Sequence, residues 1–202
     1  MRLNGLRFDQ TPWRAWARVM AIAALVVGVG CREVRDVALE LRSATEAAGS
    51  LAADDPARGD LPALDCGGGY PRPLAVVCVQ VYTLHGGTIV MEASCHDAPA
   101  VASDDDLRAF LRGVSPIAAG LATDPDTSIF VRLLGYDAAT RAAESLVMCG
   151  ITPSFPGHLD ESSSPPSLAL YLLCHDPASA PSVAGTIFDD YCASSDFVAL
   201  FP

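Results

Sequence analysis

Apolar and polar residues alternate along much of the chain after residue 66. Over 88–95 (TIVMEASC), Ile89, Met91, Ala93 and Cys95 share one face, while Thr88, Glu92 and Ser94 lie on the other with Val90. A period of two predicts a half-buried strand. The preceding segment 73–84 (PLAVVCVQVYTL) is apolar on both faces, as expected of a central strand. His85, Gly86 and Gly87 join the two, with glycines for positive φ, so the pair predicts a hairpin. A second hairpin is expected between 128–138 (SIFVRLLGYDA) and 143–151 (AESLVMCGI), and further strands over 167–174 and 195–201.

The period changes to that of a helix at 103–113 (SDDDLRAFLRG). Ser103 can cap it, Asp106 completes a capping box, Leu107, Phe110 and Leu111 form the apolar stripe, and Gly113 can end it. The three aspartates at its start suit the positive end of a helix and need no cation. Upstream, Val34, Val37, Ala38 and Leu41 fall at helical spacing, followed by a stretch of small and charged residues with two prolines. That stretch reads as a tether, and a coil of ~30 residues would reach ~30 Å. The expected organisation is a signal segment over 1–30, a tether, part helical, over 31–65, and a domain over 66–202. The expected fold class is mainly β: an antiparallel β-sandwich or open barrel with one short crossing α-helix, preceded by an N-terminal signal helix.

The N-terminus has its own pattern. Arg2, Arg7, Arg14 and Arg18 stand against Asp9 alone, and residues 19–30 then carry no charge. Those 12 residues fall short of the ~20 that span a bilayer. They match the charged and apolar regions of a secretory signal peptide, with positive charge held on the cytoplasmic side. Gly28-Val29-Gly30-Cys31 closes the run. This step resembles the lipobox of bacterial lipoproteins, with Val26 or Val27 supplying the apolar contact. The resemblance implies that Cys31 becomes the lipid-bearing first residue of the mature chain, and Arg32 after it implies the outer membrane. The alternatives are an ordinary signal peptide, which would release a secreted protein, or an uncleaved anchor.

Composition narrows the function classes. The chain carries a net charge of −11, which becomes −14 once residues 1–30 are removed, with nine arginines against 23 acids. No basic patch is available for nucleic acid. The absence of lysine excludes Schiff-base chemistry and the lysine of a phosphate-binding loop. Both tryptophans, Trp13 and Trp16, precede Cys31, which weakens a sugar-stacking reading and removes the Cys–Trp–Cys pattern of antibody-like sandwiches.

Seven cysteines form an odd set. With Cys31 lipidated, Cys66, Cys78, Cys95, Cys149, Cys174 and Cys192 are left to form three bridges in an oxidising compartment. Spacing leaves fifteen pairings open, among which neighbours in sequence are favoured: Cys78 with Cys95, Cys149 with Cys174, and Cys66 with Cys192.

Two tripeptides repeat, Cys95-His96-Asp97 and Cys174-His175-Asp176. Cysteine, histidine and carboxylate are ligands for Zn²⁺ or copper, so two such corners brought together could hold a metal through His96, Asp97, His175 and Asp176. Ordinary strand-to-turn punctuation is the competing reading. His85 in a turn, His158 in a Ser- and Pro-rich loop, and Asp124 with Asp126 around Pro125 complete the polar candidates. None forms a recognisable nucleophile–base pair or calcium loop. The expectation is an exported, lipid-anchored protein of structural or binding role, not an enzyme, with no cofactor, attached to the membrane through its lipid and meeting an unknown protein or ligand. A metal-binding envelope protein and a secreted hydrolase are the rival expectations.

Overall fold

A computed structural model describes residues 33–36, 38–114, 118–121, 128–153, 155–156 and 167–194. The expected signal helix, Cys31, the strand over 195–201, Asp124, Asp126 and His158 lie outside the described residues. The fold is mainly β, an open sheet with a few short helices, as expected.

In chain order the strands are β1 (Glu33–Asp36), β2 (Ala38–Ser43), β3 (Gly69–His85), β4 (Thr88–Ser103), β5 (Ala118–Leu121), β6 (Ser128–Tyr136), β7 (Leu146–Ile151), β8 (Phe155–Pro156) and β9 (Ser167–Cys174). The helices are α1 (Ala44–Ser50), α2 (Asp104–Gly113) and α3 (Val183–Phe188), the last continuing into a wide turn over Asp189–Ala193. The principal sheet runs β2-β9-β7-β6-β3-β4, with β8 also paired to β6; β1 and β5 form a separate two-stranded ribbon. Only β2 and β9 pair in parallel within the principal sheet.

Both hairpins form where alternation placed them. β3 is central, paired with β4 and β6, and Gly86 and Gly87 take φ of 55° and 77° in its turn. It buries both faces: Val77, Val79 and Val81 on one, Val76, Cys78 and Tyr82 on the other. α2 covers the first face through Leu107, Phe110 and Leu111. Its cap forms, with the Asp106 N–H donating to Ser103 Oγ at 3.2 Å. The Asp106 carboxylate reaches one residue farther back than a capping box requires, accepting from the Ala102 N–H. α1, a 3₁₀ turn over Leu61–Leu64, α3 and the wide turn cover the second face.

Two expectations are corrected here. β4 is a strand, but 88–95 is exposed on both faces, because among the described elements β4 is the outermost strand on its side and none covers that end. The tether over 31–65 is largely part of the domain. Leu39 and Leu41 fall two apart and enter the first core as β2, and Ala44, Ala47, Ala48, Leu61 and Leu64 pack into the second. Their small side chains let α1 lie close to the sheet, so the stretch that reads as a tether is a covering layer.

Three disulfides close, using all six cysteines after Cys31: Cys66–Cys174, Cys78–Cys95 and Cys149–Cys192. The Cys78–Cys95 pairing matches expectation; the other two do not. Cys149 lies opposite Leu173 in the β7–β9 ladder, so Cys174 is one residue out of register and points to the other face. The sheet itself keeps those two thiols apart.

Candidate functional site

The two Cys-His-Asp corners lie on one cross-sheet row. His96 opposes Val77, Val77 opposes Gly135, Gly135 opposes Met148, and Met148 opposes Cys174. Four inter-strand steps separate β4 from β9, about 19 Å. No single ion spans that gap. Both cysteines are bridged, and among the described residues no three His, Cys, Asp or Glu side chains converge on a point that could hold a metal. The expectation that the corners meet is thereby overturned.

The second corner has a local role instead. The His175 N–H donates to the Val147 carbonyl at 3.1 Å, and its ring lies 5.6 Å from that of Phe188 on α3. Gly185 permits this approach, since a methyl there would sit 3.0 Å from His175 Nε2. Asp176 accepts from Arg72 Nη2 at 2.7 Å, and Arg72 Nη1 donates to Asp137 at 2.7 Å, tying the ends of β3, β6 and β9 together. Hydrogen bonding from the Ala178 N–H, and then from Arg72, holds the Asp176 carboxyl below the usual range. His96 is half-buried and Asp97 exposed on β4.

On the second face the sheet carries a polar row that alternation alone does not announce. Gln80, Arg132, Ile151 and Tyr171 follow one another across β3, β6, β7 and β9. Arg132 is only 5% exposed. Its Nε donates to Gln80 Oε1 at 2.8 Å, Nη2 to the Tyr82 hydroxyl at 2.7 Å and Nη1 to the Ser194 carbonyl at 2.6 Å. The guanidinium carbon also stands 5.4 Å from the centre of the Tyr82 ring. Burial lowers the Arg132 pKa and raises those of Tyr82 and Tyr136. A lone arginine inside the apolar run SIFVRLLGY was the one sequence signal of this row.

Beside that row a cavity of about 310 Å³ opens between the sheet and its helical cover. Ile151, Tyr171 and Leu173 form its floor, Ala47 and Ser50 of α1 with Leu61 one wall, and Tyr191 of the wide turn another. Ser50 turns its hydroxyl back to the Ala47 carbonyl at 2.7 Å, and Thr152 closes the ladder to Val131, so the polar atoms at the rim are engaged with backbone. The Tyr171 hydroxyl has no hydrogen-bonding partner among the described residues. Burial, with the charges of Asp55 and Asp190, raises the Tyr191 pKa, so the ring stays neutral well above neutral pH. The volume falls within the range of small-molecule sites, and the lining is apolar with phenolic handles. Among the described residues no charged side chain lines it. Sequence reasoning missed the cavity because its walls come from the segment that reads as a tether and from strand residues that read as core.

No protein-family model, curated protein or solved structure matches the chain.

Proposed function

We propose that this protein is an exported lipoprotein of the outer cell envelope, anchored through Cys31, whose disulfide-bonded β domain binds a compact, uncharged and mostly apolar ligand. The role is binding, not catalysis. The observation that carries the ligand is the 310 Å³ cavity, floored by Ile151, Tyr171 and Leu173 and walled by α1. An apolar lining disfavours a charged ligand, because the charge would lose its hydration there. Export and anchoring are supported by the cysteine count: the three bridges use the six cysteines after Cys31, as an exported chain lipidated at Cys31 would. Among the described residues no helix is long and apolar enough to cross a membrane.

Two measurements test this. Intact mass of the protein extracted from membranes, alkylated without reduction, is expected to show an acylated chain starting at Cys31 and no alkylated thiol. An unacylated chain beginning elsewhere would remove the anchor. For the cavity, titration with the uncharged fluorophore N-phenyl-1-naphthylamine is expected to saturate at one site per chain. Ser50→Phe blocks the space from the exposed end of the α1 wall and is expected to weaken that binding about tenfold or more, with circular dichroism unchanged. Absence of saturable binding, or binding indifferent to the substitution, would sink the ligand reading.

A further inference from the structure

The three bridges differ sharply in access. Cys149 and Cys192 are 0% and 1% exposed, Cys174 is buried with Cys66 half-buried, but Cys95 is exposed although its partner Cys78 is buried. Cys95 also lies on β4, the outermost of the described strands on its side, in a segment exposed from Thr88 to Cys95 itself. We propose that the Cys78–Cys95 bridge is a thiol–disulfide exchange site, opened from the Cys95 side by an external dithiol. This inference does not depend on the cavity.

Thiolate attack on a disulfide needs access to one sulfur, in line with the bond that breaks. The Cys78–Cys95 bridge joins directly opposed residues of β3 and β4, and among the described strands none pairs with the other side of β4, so a thiolate can approach Cys95 from that side. The incoming thiolate bonds to Cys95 Sγ, and the bond to Cys78 breaks. Cys78 leaves with the electron pair and takes a proton, because its site is apolar. The second thiol of the dithiol then attacks the sulfur now bonded to Cys95 and releases Cys95. The bridge gains two electrons and two protons, and the dithiol becomes a disulfide. Each step therefore balances with the dithiol as the only co-reactant.

The fold is arranged to survive this opening. On either side of the bridge β3 and β4 stay paired, at Val77 with His96 and at Val79 with Ser94 through to His85 with Thr88. The two cysteines are separated by 17 positions within one hairpin, whereas Cys66–Cys174 joins positions 108 apart. Cleavage of the first therefore frees a short loop whose two strands stay paired directly to each other on both sides of the break, whereas Cys66 and Cys174 lie on segments that are not directly paired.

The experiment uses the mature protein under native conditions. It is treated with graded dithiothreitol, quenched in acid, alkylated with iodoacetamide and mapped by peptide mass. Cys78 and Cys95 are expected to be labelled at on the order of tenfold less dithiothreitol than any other cysteine, with circular dichroism unchanged. With the monothiol glutathione, a trapped adduct is expected on Cys95. The double variant Cys78→Ser with Cys95→Ser is expected to release no thiol over that same range. Opening of another bridge first, opening of all three together with loss of structure, an adduct on Cys78, or no opening short of denaturation would each overturn the proposal.

Discussion

At the scale of single residues, parity decides most of what is distinctive here. Cys149 and Cys174 are both strand cysteines, but one position of register sends them to opposite faces, and each bonds to a loop or turn cysteine instead. Gly150 beside Cys149 is fixed by the same logic. It faces Leu170 across the first core, and a methyl there would meet the Leu170 Cγ and Cδ2 at 2.8 Å. Leu170 is fully buried and cannot swing away. Gly150→Ala is therefore expected to cost about 1–3 kcal/mol through overpacking. Urea unfolding checks it, and an unchanged midpoint would mean that the β7–β9 interface is looser than described. Gly135 is held in the same way, since a methyl there would meet the buried Met148 Cε at 2.8 Å and Leu74 Cδ1 at 2.9 Å.

At the scale of elements, hydrogen-bonded carboxylates organise the caps and turns. Ser43 caps α1 in a full capping box with Glu46, whose carboxyl is lowered first by the Ser43 N–H and then by Arg42. Burial would raise Asp65, but hydrogen bonds from Thr45 and the Gly67 N–H win and lower it. Asp106 is lowered mainly by the Ser103 hydroxyl and then by the Ala102 N–H, and Asp176 by the Ala178 N–H and Arg72. All four bind their proton less readily when folded than when unfolded. Their stabilisation is thus complete above the ordinary carboxylate range near pH ~4, and is lost as pH falls through the lowered values. The melting temperature is expected to hold from pH 7 to about 5 and then drop steadily in acid. A flat profile down to pH ~2 would contradict these assignments. Ser43→Ala is expected to cost about 1 kcal/mol at neutral pH, read by the same unfolding curve. The α2 cap, both hairpins and β9 could be read in advance because each is specified locally. α1 and β2 could not. Val34, Val37, Ala38 and Leu41 fit a helical spacing, and only the parallel pairing of β2 with β9, about 130 residues along the chain, selects the strand.

At the scale of the whole molecule, the bridges set the order of stability. Removing Cys66–Cys174 by paired alanines releases the longest loop, with 108 positions between its ends, then Cys149–Cys192 with 43 and Cys78–Cys95 with 17. Chain entropy assigns about 4.7 kcal/mol to a hundred-residue loop and about 3 kcal/mol to one of fifteen residues. The Cys78–Cys95 variant is accordingly expected to keep the highest melting temperature of the three. The Cys149–Cys192 variant falls farther than loop length alone requires, because both cysteines are fully buried and leave a cavity. Calorimetry of the three variants checks the order. Should the hairpin variant be the least stable, β3 and β4 would depend on their bridge, contrary to the exchange proposal.

By itself the sequence determined the class of fold, the strands of both hairpins, the capped helix and the presence of enough cysteines for three bridges. Those features depend on neighbours two to four residues apart, or on a simple count, and so are written in local periodicity. Tertiary structure alone decided which cysteines pair, that the two Cys-His-Asp corners stand four strands apart, that Arg132 is buried in a polar row, and that an alanine-rich stretch walls a cavity. Each of these depends on strand order and register, which bring together residues far apart in the chain, and no local period records that choice.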